Sequence, residues 1–245
     1  MSNKVIVNGA QGKMGILACK TIQDHPDFEL VASLGRNDHL AEAISRTQAQ
    51  IVIDLTRADC VYENSLTIIN QGAHPVIGSS GLLEEQIETL RQRCDEKKLG
   101  GIIVPNFSIS AVLMMRFAAD AARLLPEVEI IEAHHPQKLD APSGTAIKTA
   151  ELIAAARGQS KSKPPLKELL PGARGASHHD VTIHSLRLPG ILARQQVIFG
   201  NTGETLSITH DTIDRSAFMP GLILACQHVQ ELNGLYYGLE HLLSA

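Results

Sequence analysis

The chain has 245 residues, 44% of them hydrophobic, which is enough apolar material for one large core or two modest ones. Aromatic residues make up 3%, tryptophan is absent and the net charge is −4, so we expect neither nucleic acid nor an anionic membrane as a partner. The four cysteines form no Cys-x-x-Cys pair, and the chain shows no export leader and no membrane-length apolar run, so the composition predicts a reduced, cytoplasmic protein.

The first motif is a glycine-rich turn between a strand and a helix. The apolar run Val5-Ile6-Val7 is followed by Gly9, Gly12 and Gly15, and then by a helical pattern that continues to Ile22. In dinucleotide-binding folds, such a turn lets the backbone approach a pyrophosphate, and the helix N-terminus points at it. Turns of this kind also occur with no ligand, so the rest of the pattern has to support the assignment.

The second strand, Phe28 to Leu34, ends at Gly35, where dinucleotide-binding folds usually place an acid that binds the adenosine ribose. Glycine has no such side chain, and Arg36 offers a guanidinium suited to a 2′-phosphate. The sequence therefore favours NADPH as the cofactor, with NADH as the alternative if Arg36 is only a solvated loop charge. The connection from here to the next strand, near Ile51, is short.

Further strands alternate with helices up to residue 105. Continuous apolar strands separated by amphipathic helices predict a Rossmann-like, doubly wound parallel sheet with its ligand crevice at the carboxyl ends of the strands. The loops expected at those ends are Gly78-Ser79-Ser80-Gly81 and Pro105-Asn106-Phe107-Ser108. The predicted strands are Gln50 to Thr56, Pro75 to Gly78 and Gly101 to Pro105, and the predicted helices are Val61 to Gln71 and Glu84 to Lys98.

The pattern changes near Ile109, where a long helix and then strands with alternating polarity begin. This predicts a C-terminal α+β domain with an open mixed or antiparallel sheet, followed by a helix, about Ala217 to Leu232, that returns to the first domain. The expected domains are residues 1–108 with 216–245 for dinucleotide binding, and residues 109–215 for substrate binding and oligomerisation. The predicted elements of the second domain are a helix from Ser110 to Leu125 and strands Val128 to Ala133, Val181 to Arg187, Gln195 to Phe199 and Thr205 to His210.

Residues 132–146, Glu-Ala-His-His-Pro-Gln-Lys-Leu-Asp-Ala-Pro-Ser-Gly-Thr-Ala, concentrate chemically active side chains. Imidazole groups exchange protons near neutral pH, and a lysine follows them within four residues. Ser143 is expected to cap a helix whose first backbone N–H groups can hold an anion. The segment therefore predicts an acid–base site that binds a carboxylate.

This segment also resembles the signature E-x-H-H-x-x-K-x-D-x-P-S-G-T-A of the 4-hydroxy-tetrahydrodipicolinate reductases, also called dihydrodipicolinate reductases. The resemblance implies NAD(P)H-dependent reduction of 4-hydroxy-tetrahydrodipicolinate to tetrahydrodipicolinate, in diaminopimelate and lysine biosynthesis, by a homotetramer acting on a small dicarboxylate. Every specified position is met, by Glu132, His134, His135, Lys138, Asp140, Pro142, Ser143, Gly144, Thr145 and Ala146.

The resemblance also assigns roles to residues of this chain. It implies that His134 donates and accepts the transferred proton, with Lys138 as its partner, and that substrate is bound by His135, Lys138, Ser143, Gly144 and Thr145. The residues that it places at the cofactor are Gly9, Gln11, Gly12, Lys13, Met14, Arg36, Gly78, Ser79, Ser80, Pro105, Asn106 and Phe107. The segment from Arg187 to Gln195 departs from the family pattern R-x-G-x-x-x-G-E-H, so no contacts are assigned there.

Other functions remain as alternatives. The eleven histidines include His178, His179, His184 and His210, but they lack the regular spacing of metal ligands, so we expect no metal. A second possibility is another two-domain NAD(P)-dependent dehydrogenase, and a third is a regulator that binds NADPH without chemistry. The His-His-x-x-Lys cluster argues against both.

Overall fold

The computed structural model describes residues 2–157 and 167–243. The strands are β1 (Asn3–Asn8), β2 (Phe28–Leu34), β3 (Ile51–Asp54), β4 (His74–Ile77), β5 (Gly101–Ile103), β6 (Glu127–His134), β7 (Ala176–His178), β8 (Val181–Arg187), β9 (Ala193–Asn201), β10 (Glu204–Thr212) and β11 (Leu235–Tyr237). The helices are α1 (Lys13–Asp24), α2 (Leu40–Thr47), α3 (Val61–Asn70), α4 (Glu84–Lys97), α5 (Ile109–Ala122), α6 (Gly144–Ala156) and α7 (Met219–His228).

The chain divides into two compact units. The first consists of Met1–Ile109 and Arg215–Ala245, and the second of Ser110–Asp214. No helix in the described ranges has the length and apolar character needed to cross a membrane.

The first unit is built on a six-stranded sheet in the order β11-β5-β4-β3-β1-β2. All of its neighbouring strands are parallel. The central strands β1 and β3 read as continuous apolar runs because helices cover both faces, and Ile6 and Ile53 have no exposed surface. The predicted Rossmann-like parallel sheet is confirmed.

Two elements of this unit were not predicted. Helix α2 lies in the connection between β2 and β3 that the sequence suggested was only a short link. Its apolar residues Leu40, Ala43 and Ile44 have helical spacing and pack in the cluster around Ile6 and Val52. Strand β11, of three residues, is too short for its polarity to show a period, and it pairs with β5 to form one edge of the sheet. The C-terminal helix is also shorter than expected, since 3₁₀ turns flank α7.

The second unit contains a five-stranded mixed sheet in the order β10-β9-β6-β8-β7. Strand β6 is parallel to β8 and antiparallel to β9. Helices α5 and α6 contribute Ala118, Ala150 and Ile153 to a core that they share with Ile130 and Phe199 of the sheet. This confirms the predicted mixed sheet, while β7, which was not predicted, adds one strand at the edge.

The end of β6 is where this fold positions polar side chains. His134 is its last residue and lies opposite Arg187, the last residue of β8, while Glu132 lies opposite Ser185 and Gln195. Because alternate residues of a strand share a face, Glu132 and His134 continue the helix-covered face of Ile130. The apolar face therefore ends in charged and polar groups.

Candidate active site

The glycine turn of the first unit fits the backbone of a dinucleotide-binding site. Gly9 has a φ of +86°, and a Cβ there would lie 2.6 Å from the carbonyl oxygen of Leu55. A Cβ at Gly15 would lie 2.1 Å from the carbonyl oxygen of Gly9, so the helix packs directly on the turn. Gly12 precedes α1 without a side-chain cap and is exposed, so the helix N-terminus is open to an anion. These features match the demands of a pyrophosphate.

Asp54, at the carboxyl end of β3, organises the loops around this turn. It is fully buried, and its Oδ2 accepts hydrogen bonds from Asn8 Nδ2 and Asn64 Nδ2, both at 2.9 Å. Its Oδ1 accepts from the Oγ1 of Thr56 at 2.6 Å and the Oγ of Ser79 at 2.7 Å. One carboxylate thereby ties together the ends of β1, β3 and β4.

Replacement of Asp54 by asparagine tests this network. The new NH₂ group must face donors that now point at an oxygen, which leaves buried donors without partners at a cost of about 2 kcal/mol or more in the free energy of unfolding. Urea unfolding measures the effect. The control is Asp59→Asn, since Asp59 pairs with Arg57 at an exposed position and should change stability by less than about 1 kcal/mol. Equal, small effects of both substitutions would show that the network contributes little.

The two loops predicted at the carboxyl ends of the strands, which follow β4 and β5, lie against each other in this unit. A Cβ at Gly78 would lie 2.5 Å from the ring of Phe107, so that ring packs directly on the glycine. The hydroxyl of Ser79 is held by Asp54, while Ser80 is exposed. The remaining predicted cofactor residues lie nearby in sequence or on the surface. Gln11 lies beside Gly35, and Lys13 and Met14 begin α1. Arg36 and Pro105 are exposed, and Asn106 Oδ1 accepts a hydrogen bond from the backbone N–H of Ser108 at 2.9 Å.

In the second unit, a charged cluster surrounds the predicted catalytic histidine. The Oε2 of the fully buried Glu132 lies 2.6 Å from the Nδ1 of His134. Arg187 donates from both terminal nitrogens to the two oxygens of Glu132, each at 3.0 Å. It also donates to the carbonyl oxygen of Asp140 at 2.6 Å, which holds the loop after His134 in place.

This cluster determines which nitrogen of His134 carries a proton. Burial raises the pKa of Glu132, but hydrogen bonds from His134, Arg187 and Ser185, with the charge of Arg187, outweigh it and lower the pKa from 4.5 to about 2. An ionised carboxylate only accepts hydrogen bonds, so the Nδ1 of His134 must be the donor. The Nε2 is therefore the atom left to exchange a proton with a ligand.

Lys138 lies on the turn that follows β6. Its backbone N–H donates to the carbonyl oxygen of His135 at 3.1 Å, and its ammonium contacts both oxygens of Asp140, at 2.9 and 2.7 Å. The hydrogen bond and charge of Lys138 lower the pKa of Asp140 below its ordinary value. The ammonium of Lys138 is thus paired with an exposed carboxylate, that of Asp140, in the segment that follows His134 and His135.

The start of α6 completes the group. Ser143 caps the helix as predicted, with its Oγ accepting from the backbone N–H of Ala146 at 3.2 Å. A Cβ added to Gly144 would meet no atom within 4 Å, so there is open space beside the first helical residue, and Thr145 follows it. The peptide bond between Ala141 and Pro142 is cis. A helix N-terminus with free space beside it suits an anionic ligand.

Some residues of these sites were missed by reading the sequence. Glu132 belonged to the motif but was assigned no role, Arg187 was assigned no contact, and Asp54 was predicted only as part of a strand. Gln195, in the segment that departs from the family pattern, is buried and donates to Thr149 Oγ1 at 2.7 Å. Of these residues, only Asp54 could have been noticed in the sequence. It lies between the apolar residues Ile51-Val52-Ile53 and Leu55, and a charged residue inside such an apolar run is unusual.

Comparison with known proteins covers nearly the whole chain. The family model described as "Dihydrodipicolinate reductase, N-terminus" matches residues 3–107, and "Dihydrodipicolinate reductase, C-terminus" matches residues 110–243. In the described residues, no group of three or more His, Cys, Asp or Glu side chains is placed to hold a metal ion.

Individual relatives agree with the family models. A 4-hydroxy-tetrahydrodipicolinate reductase of Legionella pneumophila is 68% identical over 243 residues, which cover 99% of this chain and 100% of that one. The Coxiella burnetii protein of the same name is 52% identical over the same shares. A dipicolinate-bound dihydrodipicolinate reductase from Paenisporosarcina sp. TG-14 is 40% identical, with a TM-score of 0.90, over 98% of this chain and 99% of that one. The chain therefore belongs to the dihydrodipicolinate reductase family.

Proposed function

We propose that this protein reduces 4-hydroxy-tetrahydrodipicolinate to tetrahydrodipicolinate with NADPH or NADH, in diaminopimelate and lysine biosynthesis. The observation that carries the proposal is the hydrogen bond between His134 Nδ1 and the ionised Glu132, in the same chain segment as Lys138 and the start of α6. That arrangement gives one proton-exchanging atom and two groups that attract a carboxylate. A regulator that only binds a nucleotide has no use for it.

The residues of the second unit would hold a small dicarboxylate. Lys138 supplies a positive charge, and the N-terminus of α6 at Gly144 and Thr145 supplies backbone donors, capped by Ser143. The buried Nδ1 of His135 has no hydrogen-bond partner among the described residues, and in this proposal the bound ligand supplies one. The relative from Paenisporosarcina sp. TG-14 is described as bound to dipicolinate, which is a molecule of this class.

The reaction adds a hydride at C4 and a proton, and the 4-hydroxyl of the substrate leaves as water. The cofactor supplies the hydride for C4 of the substrate ring when it is bound by the glycine turn and the loops at Gly78 and Phe107. His134 supplies or removes the proton through Nε2, while Glu132 fixes its ring and compensates the positive charge of the protonated ring. Lys138 neutralises a substrate carboxylate and is the second proton donor. NADPH is expected to bind at least as well as NADH, because Arg36 can pair with a 2′-phosphate.

Substrate binding can be tested without the reaction. Lys138→Ala should weaken the binding of pyridine-2,6-dicarboxylate about tenfold or more, because it removes the cation proposed to pair with a ligand carboxylate. Titration calorimetry in the presence of saturating NADPH measures the dissociation constant. Lys148→Ala is the control, since Lys148 lies on α6 but pairs with Glu151. A similar change in both variants would show that Lys138 has no special contact with the ligand.

The assembly and location are further parts of the proposal. We propose a homotetramer in the cytoplasm. The sheet face opposite the core carries Ile131, Leu186 and Ile198 alongside polar residues, which suits contact with another subunit, and Leu186 is 38% exposed in the single chain. The free state of all four cysteines suits a reducing compartment. Light scattering after size exclusion gives the mass directly, and a monomer would contradict the tetramer.

The activity is tested by NADPH oxidation in a coupled assay. The substrate is unstable and is generated in place from pyruvate and aspartate semialdehyde by the preceding synthase. We expect oxidation that depends on the synthase and on both of its substrates. Oxidation in the absence of the synthase, with aspartate semialdehyde alone, would indicate a different dehydrogenase.

A further inference from the structure

The loop after β2 brings a carboxylate back to the end of that strand. The backbone N–H of Gly35, the residue directly after β2, donates to Asp38 Oδ2 at 2.7 Å, and the backbone N–H of Asp38 lies 3.4 Å from the carbonyl oxygen of Gly35. Asp38 is exposed on its solvent side. A negatively charged side chain therefore lies at the end of β2, although residue 35 itself is a glycine.

This position adjoins the glycine turn of the same unit. The backbone N–H groups of Gly9 and Ala10 both donate to the carbonyl oxygen of Leu34, at 3.0 and 2.9 Å. A Cβ at residue 35 would lie 2.8 Å from the Nε2 of Gln11, so the Gln11 side chain occupies the space that a side chain at position 35 would need. A side chain at position 35 would have to move the end of the Gln11 side chain, whereas Asp38 reaches the backbone N–H of Gly35 with Gln11 in place.

We propose that Asp38 supplies the ribose-binding carboxylate that Gly35 lacks, and that it sets how far this protein prefers NADPH over NADH. The inference rests on the proposed use of these cofactors. A carboxylate has two oxygens with about four acceptor positions, and the bond to Gly35 uses one. The remaining positions accept hydrogen bonds from the ribose hydroxyls of NADH, as the acid of dinucleotide-binding folds does.

A 2′-phosphate meets the opposite situation. Its negative charge is repelled by Asp38, and the N–H of Gly35, which would otherwise donate to an anion, is already occupied. Arg36, two residues away and exposed, acts in favour of the phosphate. The loop thus carries one group for each cofactor, and the balance of the two determines selectivity.

The test is the substitution Asp38→Asn, which keeps an oxygen to accept from Gly35 but removes the charge. The dissociation constants of NADPH and NADH are measured separately by fluorescence titration, at low and at physiological salt. We expect the NADPH constant to fall and the NADH constant to rise, so that their ratio changes about tenfold at low salt and less at higher salt. The control is Glu42→Gln, which removes the same charge from an exposed position on α2 and should leave the ratio within about twofold.

The outcomes separate this inference from the proposed function. If the wild-type protein binds both cofactors and Asp38→Asn leaves their ratio unchanged, or weakens both equally, the role of Asp38 is overturned and the reductase is unaffected. If the wild-type protein binds neither cofactor, the proposed function fails, and the role of Asp38 fails with it. A ratio that moves toward NADPH only in Asp38→Asn supports the inference.

Discussion

The His134→Gln variant should lose about 100-fold or more of kcat/KM in the reduction of 4-hydroxy-tetrahydrodipicolinate. The glutamine amide can still donate a hydrogen bond to Glu132, which lies 2.6 Å from the ring nitrogen in the native protein. It cannot exchange a proton at neutral pH. The loss is therefore expected in kcat, and it is measured by steady-state oxidation of NADPH with substrate generated in place.

Two further measurements distinguish a loss of proton exchange from a loss of folding or of ligand binding. The variant should keep the native melting temperature and the native affinity for pyridine-2,6-dicarboxylate, since neither depends on proton exchange. The adjacent His135→Gln substitution is the comparison, because His135 is assigned to substrate binding and should raise KM more than it lowers kcat. Wild-type kcat in His134→Gln would remove His134 from the mechanism.

The second large effect is on stability, in the Arg187→Ala variant. The substitution leaves Glu132 fully buried without the guanidinium that contacts both of its oxygens. Removing one partner of a buried ion pair costs about 3–5 kcal/mol, and urea unfolding at neutral pH measures it. The control is Arg194→Ala, because Arg194 pairs with Asp211 where both side chains are nearly half exposed, and its loss should cost about 1 kcal/mol or less. Similar costs for both variants would contradict the role of Arg187.

The pH dependence of unfolding gives an independent check of this ion pair. The pKa of Glu132 is lowered by folding from 4.5 to about 2, so its stabilising contribution is fully present above the higher value and is lost as the pH falls toward the lower one. A displacement of this size corresponds to roughly 3 kcal/mol. Arg187→Ala should reduce it, so the variant should lose less stability than wild type between neutral pH and pH about 3.

The fold could be predicted from the sequence where polarity has a clear period. The apolar strands around Ile6 and Ile53, the glycine turn and the alternating strands of the second unit all predicted their elements, and the fold class is confirmed. Strands β7 and β11 have three residues each, too few to show alternation. Helix α2 was missed although Leu40, Ala43 and Ile44 have helical spacing, because the chain between Gly35 and Ile51 was interpreted only as a short connection.

The candidate site also contains some residues that the sequence predicted and others that it did not. His134, Lys138 and Ser143 lie within one short segment, so a local pattern was enough to nominate them. The bond from Arg187 to Glu132 spans 55 positions and depends on the register of two parallel strands, which no local pattern reveals. Asp38 and Gly35 are close in sequence, but their hydrogen bond depends on the path of the loop, which the sequence did not specify.

Transfer of the hydride itself is the most direct test of the reductase activity. The protein is incubated with NADPH that carries deuterium at both C4 positions of the nicotinamide and with substrate produced in place by the synthase, and the product is analysed by mass spectrometry and NMR. We predict one deuterium at C4 of the tetrahydrodipicolinate ring, with stoichiometric oxidation of the cofactor. Product without deuterium, or oxidation of the cofactor without tetrahydrodipicolinate, would contradict the assignment of this chain as the reductase.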